Sequence, residues 1–524
     1  MCQNIFNLKK ALFISFLLIS CIGFSQNKKI KILRADNTYT DPQFPGATIS
    51  LGNVFVEHEG ATIRCDKAYI YGDTKVIKAM GNVVVNQGDT IFQYSKYTDY
   101  NGVNKIATSW GNVLLKDELM TLETDTLRFD RENQQLFYKS GGTIKDTTNV
   151  LKSKIGNYYL QTNKFQAVTN VEVTNKDSKL VSNHLDYYTS TGIADLFGPS
   201  TITGDGNSMY TENGQHNTKT KISKFLKNSK IYYSDRTIEG DSLYHNQNKD
   251  FASATGHIKV IDTTNNSIIK GNYAEFFKEK DSVFITGKAV VISKMEKDSI
   301  YIHGDILMVT GKVDERLVRA YKHVKIFKSD LQGKCDSLST DEKSGITKLF
   351  TNPVIWAEGN QITGDTIHLI SNSKTEQLDS LKILSNAFMI QKDSSGYSQM
   401  KGKKMYGKFE NNKLNSLNNI GNSEVLFYGR DETKKLVGIT KMRSSKNIFI
   451  TFKEKEINTI EFITKPEGNT YPPSKFPEDE KILEGFIWRE DERPLTIDAI
   501  FIHDEIKPIE TDAKKKVFNE RLKD

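Results

Sequence analysis

The chain has 524 residues, 37% of them hydrophobic and 26% charged, with a mean hydropathy of -0.50. This excludes a polytopic helical membrane protein, and 22 Tyr with 28 Phe exclude general disorder. Four cysteines exclude a disulfide-stapled scaffold, and a net charge of +7 gives only a weak pull on anionic partners.

Lys9 and Lys10 precede an apolar run over residues 11–22. About a dozen residues are too few to span a bilayer comfortably but suit the core of an export signal. Gly23-Phe24-Ser25 places small residues where a signal peptidase reads them, which sets cleavage before Gln26 and residues 1–25 as a signal peptide. Leu18-Ile19-Ser20-Cys21 also fits a lipoprotein box, which would leave a lipidated Cys21, and a retained anchor is the third option. Loss of the two lysines takes the charge from +7 to about +5. Cys65 and Cys335 remain; the spacing does not place them together, and the simplest reading is two small buried side chains.

Residues 26–470 read as one repeating strand pattern, clearest over 30–200 and looser over 201–470. Gly52-Asn53-Val54-Phe55-Val56 returns 29 residues later as Gly81-Asn82-Val83-Val84-Val85, and 30 residues after that as Gly111-Asn112-Val113-Leu114-Leu115. Looser copies are Asn170-Val171-Glu172-Val173, Gly256-His257-Ile258-Lys259-Val260, Gly287-Lys288-Ala289-Val290-Val291, His323-Val324-Lys325-Ile326 and Asn386-Ala387-Phe388-Met389-Ile390. Between them runs a second register, Gly204-Asp205, Gly240-Asp241, Gly304-Asp305 and Gly364-Asp365, with Gly271-Asn272, Gly333-Lys334 and Gly402-Lys403 in the gaps. Each unit is expected to hold two or three short strands. The apolar residues alternate, which puts Val54 with Val56, Val83 with Val85, Val113 with Leu115, Val171 with Val173, Ile258 with Val260 and Val324 with Ile326 on one face. Asn101-Gly102 and Asp205-Gly206 mark turns. Residues 471–524 read as an appendage or partner-binding tail, with a short helix over 513–522 behind Asp512.

A sheet of this kind buries its apolar face by stacking unit on unit. Around 40 strands would extend on the order of 100–200 Å. Left open along one side, the apolar face becomes a trough for the acyl chains of an amphipathic lipid, with head groups at the rim. The alternative is a closed core in a structural or adhesive repeat protein. Either way the terminal strands offer edges for strand addition.

The recurring Gly-Asn-Val-x-Val units behind an export signal, with connecting lines such as Ala61-Thr62-Ile63-Arg64-Cys65-Asp66-Lys67-Ala68-Tyr69-Ile70-Tyr71, resemble the OstA-like family, the organic-solvent-tolerance or lipopolysaccharide-export family of Gram-negative bacteria. The resemblance implies an all-β, elongated β-jelly-roll or folded-sheet ("β-taco") architecture in the periplasm, with possible association with the outer membrane. It implies lipopolysaccharide or a related lipid as partner, together with inner-membrane export components and an outer-membrane translocon engaged through strand edges. It carries over no catalytic residues and no cofactor. The twelve paired apolar residues above, from Val54 to Ile326, are the expected lipid-facing positions. The chain is longer than the smallest family members and lacks a run of amphipathic membrane strands at its end, which leaves open a bridge, a chaperone or a translocon accessory.

Other chemistry is poorly supported. Gly240-Asp241-Ser242-Leu243 spells a serine-esterase signature and Asp365-Thr366-Ile367-His368 the matching Asp-x-x-His. Yet the same register carries Ile306 and Thr366 in place of the nucleophile, and no helix follows Ser242. The nine His form no metal-binding spacing, and Gly-Lys pairs lack the rest of a phosphate loop. Lys401-Gly402-Lys403-Lys404 and Lys514-Lys515-Lys516 read as solvated surface that could also meet phosphate head groups. Nothing points to nucleic acid.

Overall fold

The computed structural model describes residues 29–503, apart from residues 89, 205, 234, 235, 265, 296, 297, 313, 314, 373–376, 411, 412, 454 and 455. The export signal, Cys2, Cys21, Asp205, the helix expected over 513–522 and Lys514-Lys515-Lys516 lie outside the described residues. Among the described residues the protein is all β, with forty strands and six 3-10 turns of three or four residues. The strands pair antiparallel. No helix among the described residues is long and apolar enough to cross a membrane. The chain forms two compact units, the first built from residues up to 203 with 215–219, the second from 204–214 and residues from 220 on.

The clear copies are hairpins of two long strands, later long pairs alternate with runs of four short strands such as Gln135–Tyr138 to Ile155–Tyr159, and the Gly-Asn motif is a corner in the long strands. Leu51 faces Lys67 while Val54 faces Cys65, so Gly52 and Asn53 together oppose the single residue Asp66. Two residues against one is a β-bulge, which bends the strand. Both corner residues take left-handed backbone angles, with φ of 72° and 48° at Gly52-Asn53 and 74° and 43° at Gly81-Asn82. Gly and Asn tolerate this region best, which explains the motif. The looser copies keep the conformation with other residues, at Thr169-Asn170, Gly256-His257, Lys322-His323 and Ser385-Asn386.

The second register completes the same corner. Asn53 Nδ2 donates to Asp36 Oδ2 at 2.8 Å and Asn82 Nδ2 to Asp66 Oδ2 at 2.9 Å. His257 Nδ1 lies 2.7 Å from Asp241 Oδ2, His323 Nδ1 2.8 Å from Asp305 Oδ2, and Asn386 Nδ2 bonds Asp365 at 3.0 Å. Asp241, Asp305 and Asp365 of the Gly-Asp pairs therefore each hold the corner that follows. Asp241 and Asp365 are engaged this way, and Ser242 opens a strand, Ser242–Asn246, not a helix. The esterase-like spelling is a by-product of the repeat.

The corner divides each long strand between two walls. In the first unit, residues 164–168 of the strand Lys164–Thr174 pair with Ile155–Tyr159, whereas residues 172–174 pair with Val150–Ser153. In the second unit, Leu317–Lys328 pairs with Ile306–Thr310 before its corner and with Ser299–His303 after it. Alternation then turns one side of both walls inward. In the first unit Val54, Val56, Val83, Val85, Val113, Leu115, Val171 and Val173 lie after the corners and are all buried, and Ile77, Ala79, Phe165 and Ala167 are buried on the other wall. Gly102 serves a close approach: a Cβ there would sit 2.8 Å from His58 Cε1, across the end of the walls.

After Tyr471 the chain leaves the sheet and runs back over the second unit as a strap of 3-10 turns. Phe476 and Leu483 join a buried cluster with Phe388, Ile390, Leu426, Tyr428 and Ile439. Two buried glutamines clamp its backbone. Gln399 donates to Lys481 O at 2.8 Å and accepts from Leu483 N at 2.8 Å; Gln361 donates to Ile487 O and accepts from Arg489 N, both at 2.7 Å. Each such bond contributes about 1 kcal/mol, and losing a buried partner costs about 1–3 kcal/mol.

Candidate functional site

The two walls of each unit end in turns, and what happens between those ends differs. In the first unit the ends are laced together by polar side chains. The Tyr100 hydroxyl lies 2.8 Å from His58 Nδ1 and accepts from Arg131 Nη1 at 2.8 Å, and Arg131 Nη2 donates to Glu59 O at 3.1 Å. Tyr158 donates to Asp117 at 3.2 Å, and Tyr187 donates to Asp146 at 2.6 Å while accepting from Asn149 at 2.7 Å. Burial pushes the Tyr158 and Tyr187 hydroxyls well above the ordinary phenol value. Burial alone would raise the Asp146 carboxyl, but hydrogen bonds from Tyr187, Thr148 and Asn149 outweigh it and hold it below the usual carboxylate range. The interior behind this lacing is filled, with Tyr138, Tyr158, Tyr187, Phe129 and Phe165 fully buried.

The second unit keeps a cavity of about 1190 Å³. That is somewhat above the roughly 300–1,000 Å³ common for small-molecule sites. Its walls are apolar: Val260, Ile269, Val291, Ile302 and Ile326 lie on strand halves after the corners, and Val283, Val309 and Val318 on the halves before them. Its edge carries seven basic residues, Arg236, Lys294, Arg316, Lys328, Lys343, Lys413 and Arg493, against five acids, Asp262, Asp330, Asp341, Glu342 and Glu358. Lys343 and Arg493 also pair with acids beyond the lining, Glu315 at 2.6 Å and Glu490 at 3.0 Å, so the edge is a mixed set of charges. Arg316 from one wall-end pairs with Asp262 from the other, and Arg236 Nε is 3.7 Å from the same carboxylate. This site has an apolar interior and a charged margin with basic residues in it.

Of the twelve expected lipid-facing residues, Val260 and Ile326 line this cavity. Ile258 and Val324 are buried in the second unit without lining it, and the other eight fill the closed interior of the first. The motif drew attention to residues after the corners, so the facing wall, with Val283, Val309 and Val318, was missed. Its alternation, as in Val283-Phe284-Ile285, was there to be read. Cys65 and Cys335 are free, buried thiols in the same repeat position, Cys65 opposite Val54 and Cys335 opposite Val324. His303, Asp305 and His503 converge at a corner outside the cavity.

Residues 27–183 match the family model described as OstA-like protein. This stretch is an OstA-like region. The OstA-like region lies in the first unit, and the cavity lies in the second. No curated protein matches the chain. Among solved structures, the chain is similar to LptH, described as the LptA-homologous periplasmic component of the conserved lipopolysaccharide transport device from Pseudomonas aeruginosa. Identity is 12%, coverage is 30% of this chain and 76% of that one, and the TM-score is 0.12, so this likeness carries no argument.

Proposed function

We propose that the protein is an exported, periplasmic lipid-binding protein of the lipopolysaccharide-transport class, and that the second unit takes acyl chains between its walls. The observation that carries this reading is the cavity of about 1190 Å³, apolar inside and with basic residues in its charged edge. Acyl chains gain from leaving water at about 25 cal/mol per Å² of apolar surface. Lys294 and Lys413 in the lining would meet phosphates, which suits a lipid A-type head group. Membership of residues 27–183 in the OstA-like family supports the same direction. The protein carries and does not convert its lipid. Strand edges would set its order between inner-membrane export components and an outer-membrane translocon.

Native mass spectrometry of the mature protein with lipid A, and with a neutral diacylglycerol as comparison, tests this. One lipid A per chain with weaker diacylglycerol binding is expected. Val318 is half-buried in the cavity wall, so Val318→Trp should fill the space and weaken lipid A binding about tenfold or more without unfolding. A folded protein that ignores both lipids would refute the reading and favour a closed structural repeat, which the filled interior of the first unit resembles.

A further inference from the structure

We propose that His303 Nε2, Asp305 and His503 Nε2 bind one zinc-type divalent ion, and that the ion fastens the end of the strap to the second unit. Their potential ligand atoms lie within 4.8 Å of one another. His303 is 3% exposed. Its Nδ1 lies 2.7 Å from the carbonyl oxygen of Ala289, which can only accept, so Nδ1 carries the proton and Nε2 is a bare lone pair. That buried Nε2 has no hydrogen-bond partner. A ring nitrogen with its opposite N–H tied to a backbone carbonyl is the usual state of a metal-binding imidazole.

Asp305 supplies the oxygen. His503 Nε2 is already 3.1 Å from Asp305 Oδ1, close to the ~3.4 Å that separates ligands about 2.1 Å from a tetrahedral ion. His323 bonds the other carboxylate oxygen and stacks on His503 with ring centroids 4.1 Å apart, a supporting partner for the ligand shell. Two imidazole nitrogens and one carboxylate with a fourth position for water suit zinc better than calcium or magnesium, which prefer all-oxygen sets.

The repeat provides a built-in comparison. The Asp241–His257 corner has the same carboxylate–imidazole pair at 2.7 Å. Two residues before its Asp stands Glu239, where the Asp305 corner has His303, and Thr363 holds that place before Asp365. His303 and His503 are thus additions to a shared corner. Lys325 Nζ bonds Ile502 O at 2.7 Å and Phe501 packs on the His303 ring, which delivers His503 to the site.

Chelator-stripped full-length mature protein titrated with zinc chloride by calorimetry, with metal content read by mass spectrometry, tests the proposal. One zinc per chain at micromolar or tighter affinity is expected. His503→Ala, on a half-exposed side chain that folding does not need, and Asp305→Asn should each weaken binding at least about tenfold, while His257→Ala leaves it unchanged. Zinc should also slow tryptic cleavage at Lys481 and Arg489 in the strap, and not in His503→Ala. No stoichiometric zinc in the wild type, or zinc binding that His503→Ala leaves intact, overturns the site. Zinc bound with strap cleavage unchanged overturns the fastening.

Discussion

Replacing Gly81 by alanine isolates what the corner contributes. Gly81 has φ of +74°, and an added Cβ would overlap the Asp66 carboxylate. Asp66 would have to swing away and give up its 2.9 Å bond from Asn82. Left-handed backbone costs a non-glycine residue about 1–2 kcal/mol, and an exposed hydrogen bond is worth about 1 kcal/mol, so Gly81→Ala should lose about 2–3 kcal/mol. Asp66→Ala should lose about 1 kcal/mol, because only the bond goes. The double variant should again lose about 2–3 kcal/mol, since one bond cannot be lost twice; the cycle therefore departs from additivity by about 1 kcal/mol. Hydrogen exchange across the strands Val76–Gln87 and Ile91–Asn101 reads this locally, with roughly 30- to 150-fold faster exchange in Gly81→Ala. An additive cycle, or exchange unchanged in Gly81→Ala, would refute the account of the corner.

Three further outcomes follow from contacts described above. Tyr187→Phe removes one donor from Asp146, whose folded pKa lies below its unfolded value, so its stabilisation is present above about pH 4 and fades as pH falls further; the variant should be less stable by about 1–2 kcal/mol at pH 7 in urea titrations, with the gap closing below pH ~4. An equal gap at every pH would count against the linkage. Gln361→Leu leaves Ile487 O and Arg489 N without their clamp and should speed tryptic release of the strap, and cleavage at the wild-type rate would show the clamp to be incidental. Burial pushes the Cys65 thiol up to about 11 and that of Cys335 up to about 12, so both should react with a thiol reagent at pH 8 at least ~100-fold more slowly than a free thiol, Cys335 the slower, until the protein is unfolded. Rapid labelling of the native protein would contradict their placement.

The fold was legible where local rules decide it. Alternating residues such as Val83 and Val85 report an inward face because strand geometry fixes period two, and Gly81-Asn82 reports a left-handed corner because few residues tolerate it. Alternation says which face is inward but not what lies across it. It could not tell that Val54 to Val173 meet a filled interior whereas Val260 and Ile326 meet a cavity. That difference depends on side chains distant in sequence, such as Tyr187 with Asp146 or Arg316 with Asp262, spaced by 41 and 54 residues. The Asp of Gly240-Asp241 looked like chemistry because its partner, His257, belongs to the neighbouring strand. The strap was unreadable for a related reason: its anchors, Gln361 and Gln399, recognise backbone and leave no pattern in residues 473–503.

The hairpin repeat also governs how the chain tolerates changes in length. Each of the first hairpins carries its own corner, its own share of both walls and its own turns, and pairs its strands only with the strands beside them. Gaining or losing a whole hairpin would leave the pairing of all others intact and add or remove one slice of interior. A single residue inserted within a half-strand would instead turn every inward side chain of that half outward, from the insertion to the next turn. Natural variants of this chain should accordingly differ in length by multiples of about thirty residues, with smaller changes confined to the turns at the wall ends.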